Sequence, residues 1–147
     1  MNDHSFGQTS TDNLFRVFPP LVAVAYRALY LSPLDFGIHS GMRSKREQKH
    51  LVEIGASWTL DSQHRLRSNT VYLNDWAYAI DYHVYDGTQH HFNLGSLRRV
   101  FLEGWLPAAE EIGLSIIWGG SWETENIDGC HIEAAVPTKL VKELEDA

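Results

Sequence analysis

Apolar and polar positions recur along the chain with two different periods, and the switch between them marks the predicted elements. After a polar opening, MNDHSFGQTSTDN, the stretch LVAVAYRALYL follows Pro19 and Pro20 and is apolar around most of a helical cylinder. Proline suits the first turn of a helix, where its missing N–H would have no intrahelical partner. A largely buried helix is therefore predicted after residue 19, and residues 1–13 are read as a loose polar arm. The glycine-bounded FGIHSG from Phe36 predicts a short strand. In Ser44-Lys45-Arg46-Glu47 a serine stands three residues before a glutamate, the spacing of a capping box, and Gly55 stands where a helix would stop. Lys45 to Ile54 is accordingly predicted helical.

The next segment reads as polar loop, because Ser57, Thr59, Asp61, Ser62 and Asn69 compete for backbone hydrogen bonds. AYAIDYHVY, from Ala77 to Tyr85, then alternates like a strand. Ala77, Ala79, Asp81 and His83 share one face; Tyr78, Ile80, Tyr82 and Val84 share the other. Ser96 is placed to cap a helix reaching Ile112, which Pro107 should kink or divide after Trp105 and Gly113 should end. LSIIW from Leu114 reads as a buried strand before the Gly119-Gly120 turn, Cys130 to Ala134 as another strand, and Pro137 as the start of a terminal helix. The strands follow one another in hairpin-like rather than strictly βαβ order. That predicts an α+β fold, a small antiparallel sheet flanked by helices.

Composition narrows the classes. A chain of 147 residues with 44% apolar and 12% aromatic positions has the material for one ordinary core. The net charge is −7, and the 12 basic residues are scattered apart from small groups at 43–49 and 98–99, so nucleic acid is not an expected partner. A single cysteine, Cys130, excludes an internal disulfide. No basic-then-apolar leader or run of membrane-spanning length is visible, so a soluble protein without signal peptide or membrane insertion is expected.

Three places carry candidate chemistry. His64 lies in the polar loop, where a histidine by itself is usually just solvated. Asp81 says more: mid-strand between Ile80 and Tyr82, it must pair, cap a loop or coordinate something. Asp128-Gly129-Cys130-His131-Ile132-Glu133 adds a carboxylate three residues before a histidine. Zinc takes histidine nitrogen and aspartate oxygen, and a catalytic site keeps three protein ligands with one position open.

Together these residues resemble the zinc peptidases of the D-alanyl-D-alanine carboxypeptidase and L-alanyl-D-glutamate endopeptidase group, which includes VanY-like enzymes and many phage endolysins. The resemblance rests on Arg43 with Gln48 in GMRSKREQ, Ser62-Gln63-His64, Ala79-Ile80-Asp81, Trp118-Gly-Gly-Ser-Trp122 and Asp128-Gly-Cys-His131. They stand in the family's order across residues 14–135. The departure is at the start: no glycine follows His64 at the family's position. About ten extra residues precede Asp81, an insertion that loop-closure entropy tolerates, and the 65–76 segment is read as a loop near the site.

The resemblance implies His64, Asp81 and His131 as ligands of one zinc ion, with Asp75 and His83 the alternatives to Asp81. It implies Asp128 as the carboxylate that moves the proton, Arg43 as the substrate-binding and oxyanion-stabilising cation, and Ser62, Gln48 and Trp122 as substrate-binding residues. Trp118 reads as core, Cys130 as a small buried residue, and His90 and His91 as solvated. The implied protein is a single zinc peptidase domain over 14–147 without a separate wall-binding domain, a monomer acting on bacterial peptidoglycan. As a phage endolysin it would be made in the host cytoplasm, reach the wall after the membrane is opened, and cut between L-alanine and D-glutamate. The alternatives are a D,D-carboxypeptidase on D-Ala-D-Ala termini and a non-catalytic, metal-stabilised wall-binding or virion protein.

Overall fold

The protein is described as a computed structural model covering residues 2–69, 74–122 and 127–141. In chain order the elements are α1 (Gln8–Asn13), α2 (Pro19–Leu31), β1 (Asp35–Ser40), α3 (Lys45–Glu53), β2 (Arg67–Ser68), β3 (Ala79–Tyr85) and β4 (His90–His91). There follow α4 (Leu94–Val100), a π-helical turn (Phe101–Trp105), α5 (Leu106–Ile112), β5 (Ile116–Trp118), a 3-10 turn (Gly119–Ser121), β6 (His131–Ala134) and β7 (Lys139–Leu140). The α+β expectation holds.

One antiparallel sheet runs in the order β1-β3-β6-β5, with β4 pairing to Val84 and Tyr85 of β3 beyond the residues of that strand that pair with β6. Period-two alternation sorts its residues. Phe36, Ile38, Ile80, Tyr82 and Ile132 go to the face packed under the helices, where α2 contributes Leu21, Val24, Ala25, Ala28 and Leu29. Tyr26 and Tyr30 of α2 face solvent, so the helix is buried along one stripe rather than all round. The other sheet face carries Asp81 and His131.

Several expectations need correcting. Residues 1–13 are not a loose arm: Asn2 donates to the Ser32 carbonyl at 2.6 Å, Ser10 accepts from the Ile38 amide at 2.9 Å, and Asn13 donates to the Ile38 carbonyl at 2.8 Å. The cap of α4 is Asn93, whose side chain accepts from the Ser96 amide, not Ser96 itself. Pro107 does not divide the helix. The missing donor is absorbed one turn earlier, where the Leu106 amide reaches back five residues to the Phe101 carbonyl in the π-helical turn. β5 is an edge strand with Ile117 partly exposed, so LSIIW is not buried throughout. After Pro137 the chain forms β7 against β2 instead of starting a helix; the rest of the predicted terminal helix, 142–147, lies outside the described residues. β2 and β4 lie in segments read as loop, whereas β1, α3, β3 and β6 fall close to where they are predicted, including the reciprocal Ser44–Glu47 capping box of α3.

Candidate metal centre and active-site groove

β3 and β6 pair so that Asp81 stands directly opposite His131, while Ser40 of β1 stands on the other side of Asp81 after a register shift. His64 comes from the loop before β2 and is pinned there. Its amide donates to Ser62 Oγ at 3.1 Å, its carbonyl accepts from the Arg43 amide at 2.8 Å, and Tyr78 donates to the neighbouring Gln63 carbonyl at 2.8 Å. Three separate pieces of chain thus deliver three buried side chains to one point.

His64 Nε2 lies 3.2 Å from Asp81 Oδ1, and His131 Nδ1 lies 3.4 Å from the same oxygen. The outer nitrogens are committed. His64 Nδ1 is 2.7 Å from the Gly41 carbonyl, which can only accept, so Nδ1 carries the proton and Nε2 turns a lone pair inward. His131 Nε2 is 2.9 Å from Glu133 Oε1 and donates to it, which frees Nδ1 to do the same. Two imidazole nitrogens and a carboxylate oxygen therefore converge, all within 4.8 Å of one another. This borderline, buried N/O donor set with its outer hydrogen bonds in place fits zinc.

The electrostatics point the same way. Burial opposes charge on Asp81, but His64 and His131 outweigh it and hold the carboxyl well below the usual carboxylate range. Burial also lowers His131, yet its bonds to Asp81 and Glu133 push it up to about 9. With protein groups alone, a proton on His131 supplies the positive charge the cluster needs. A divalent cation would supply that charge in its place.

Neither alternative ligand joins this group. The Asp75 carbonyl accepts from Arg16 at 2.9 Å, and His83 packs with its ring 4.0 Å from that of His90. Arg43 stands behind the cluster: its Nη2 is 2.7 Å from Asp81 Oδ2 and its Nη1 is 3.2 Å from Gln48 Oε1. Gln48 is 0% exposed, and its amide donates to Ser57 Oγ at 2.8 Å and to the Thr59 carbonyl at 2.6 Å. It touches protein, so its support for substrate binding is indirect. Ser62, also buried, serves the His64 loop but still lines the groove.

The cluster opens into a groove of about 1050 Å³ lined by Arg43, Asp128, Cys130 and Trp122 as well as the three candidate ligands. Trp122 leans on His131, ring centroids 5.0 Å apart, whereas Trp118 is core, stacked on Phe101 and donating to the Gly129 carbonyl at 2.8 Å. Cys130 departs from the expectation of a small buried residue. It is half-buried in the groove wall, and its Sγ lies 3.0 Å from Asp128 Oδ1. Burial pushes the thiol far above its ordinary range, so it stays a neutral S–H that donates to the aspartate. The inserted segment is tied at its base by paired Arg67 and Trp76 backbones at 2.7 and 2.9 Å, and its residues 70–73 lie outside those described.

Sequence reasoning missed Glu133 and Gly41. Glu133 had a signal, since two residues past His131 on a strand it shares that residue's face. Gly41 had none, because only its backbone carbonyl is used.

Known proteins resemble the chain over most of its length. The chain is 28% identical over 138 residues to the L-alanyl-D-glutamate peptidase of Escherichia phage T5, spanning 87% of this chain and 96% of that one. Its fold superimposes on the crystal structure of the Serratia marcescens L-Ala D-Glu endopeptidase ChiX with a TM-score of 0.74 and 28% identity, over 90% of this chain and 92% of the other. The sequence model of the phage L-alanyl-D-glutamate peptidases matches residues 2–135, which include every candidate site residue, and the chain belongs to that family.

Proposed function

We propose that this protein is a zinc-dependent peptidoglycan endopeptidase that cuts the stem peptide between L-alanine and D-glutamate, as an endolysin does. The observation that carries the metal reading is the convergence of His64 Nε2, Asp81 Oδ1 and His131 Nδ1, with both outer ring nitrogens already used as donors. Zinc bound there would supply Lewis-acid polarisation of the scissile carbonyl and lower the pKa of the attacking water toward about 7.

The chain's own residues do the rest. Asp128 takes the proton from that water and passes it to the leaving amine. The Cys130 S–H occupies Oδ1, which leaves Oδ2 as the basic oxygen. Arg43 keeps Asp81 turned toward the ligand point through Oδ2. Its guanidinium has five N–H donors, and those outside its bonds to Asp81 and Gln48 are available to an oxyanion developing in the groove. Trp122 covers one side of His131 and limits water there.

Among the described residues no helix is long and apolar enough to cross a membrane. The test is digestion of purified peptidoglycan by zinc-loaded protein, by chelator-treated protein and by His131→Ala, with mass spectrometry of fragments and labelling of new amino termini. New D-glutamyl amines from the zinc-loaded protein only are expected. Release of free D-alanine would make it a carboxypeptidase, and absence of any cleavage would leave a structural metal.

A further inference from the structure

Trp58 is 72% exposed, the most exposed of the large apolar side chains among the described residues, yet it sits on a fixed piece of chain. The residues on both sides of it are held by one buried amide: Gln48 donates to Ser57 Oγ at 2.8 Å and to the Thr59 carbonyl at 2.6 Å. The same Gln48 accepts from Arg43, which grips Asp81. Trp58 is thus presented into the groove by a chain of bonds that begins at the candidate metal ligand. An ordered, exposed indole in the wall of a site marks a surface for a ligand with an apolar face.

The surrounding charges select which ligand. Glu47 and Asp61 line the same side of the groove, which continues α3 and its following loop. One oxygen of Glu47 accepts from the Ser44 amide and one oxygen of Asp61 pairs with Arg67, so each carboxylate keeps its second oxygen for another donor. Arg67 is taken up by Asp61, and Arg43, which also lines the groove, is turned toward Asp81 and Gln48 at the metal end. This side is unsuited to a carboxylate-bearing peptide and suited to a neutral group with hydroxyl donors and a flat C–H face.

A pyranose ring has both, and the substrate chemistry supplies one. L-Alanine is the first residue of the stem and is joined through a lactyl group to N-acetylmuramic acid. With at most about 3.6 Å per extended residue, a sugar lies within roughly 10 Å of a bond cut after that alanine. We propose that Trp58 is a stacking platform for the glycan that carries the stem peptide, with Glu47 and Asp61 accepting from its hydroxyls. This rests on the L-alanyl-D-glutamate reading. The carboxylate-rich part of the stem then leaves on the other side, past His39 and Phe92.

The test compares kcat/KM on an N-acetylated stem tripeptide with kcat/KM on the same tripeptide attached to its disaccharide. For Trp58→Ala, the ratio favouring the glycan-bearing substrate should fall on the order of tenfold, with Trp58→Phe in between. An unchanged ratio, including an equal loss on both substrates, overturns the platform. Independently of turnover, the parent protein is titrated with the disaccharide bearing L-alanine alone, which holds no scissile bond. The indole N–H resonance assigned to Trp58 by its absence from Trp58→Phe should shift. A silent Trp58 resonance, while others move, overturns the proposal. If the parent cuts neither substrate but the indole shifts, the peptidase reading fails and the glycan platform stands.

Discussion

Arg43 donates to Asp81 Oδ2 across 2.7 Å, so the carboxylate that meets His64 and His131 through one oxygen is anchored by a cation through the other. The guanidinium fork also reaches Gln48, a span that a lysine ammonium cannot copy. Arg43→Lys is expected to weaken zinc binding about 10–100-fold, and Arg43→Ala at least as much. Competition with a chromophoric chelator measures it. Parent-like affinity in Arg43→Ala would mean that the pair does not position the ligand.

Glu133 sets which nitrogen of His131 faces inward. Glu133→Gln still offers an acceptor oxygen and should retain most of the zinc affinity, while Glu133→Ala should lose about 10–100-fold. Equal affinities for the two variants would remove Glu133 from the support of the site.

Gly41 holds His64 through its carbonyl, and a methyl group on its Cα would collide with the Asn13 carbonyl at the end of α1. Gly41→Ala should cost about 1–3 kcal/mol in denaturant unfolding, as overpacking does, and should weaken zinc binding by moving the His64 mount. A variant with parent stability would show that α1 yields freely.

His83 lies among His39 and His90 on the β1–β4 side of the sheet. Burial first, then the two neighbouring histidines, lowers it from 6.5 to about 4. The folded protein disfavours the proton that the unfolded chain accepts, so stability contributed by neutral His83 is present above 6.5 and is lost as pH falls toward 4. The acid limb of Tm against pH should be shallower in His83→Gln than in the parent. Parallel curves would assign that limb to other groups.

Local signals were legible in the sequence where they were short. The Ser44–Glu47 box and Gly55, with φ of 79°, bound α3 as read, because both devices act within a few residues. Asp81 was legible because a charge on an otherwise apolar strand demands a partner, and His131 because a carboxylate stands three residues before it at the entry to a strand. Asn93 was missed as the α4 cap because Ser96 is an equally good capping residue and only tertiary packing chooses between them. Arg43 and Gln48 were placed near the site, but their bonds to Asp81 and to the 57–59 loop were not foreseen. Their partners lie 38 and 9 to 11 residues away, and nothing in the local pattern encodes such bonds.

The direct pairing of Asp81 with His131 also has a consequence for biosynthesis. The first two candidate ligands leave the ribosome well before the third, and no chain ending short of residue 131 holds the complete set. Assembly of the site therefore waits for β6 to insert between β3 and β5. On the proposed metal site, a nascent or truncated chain lacking that strand would be inert, and the hydrolase would arm itself only when its sheet is closed.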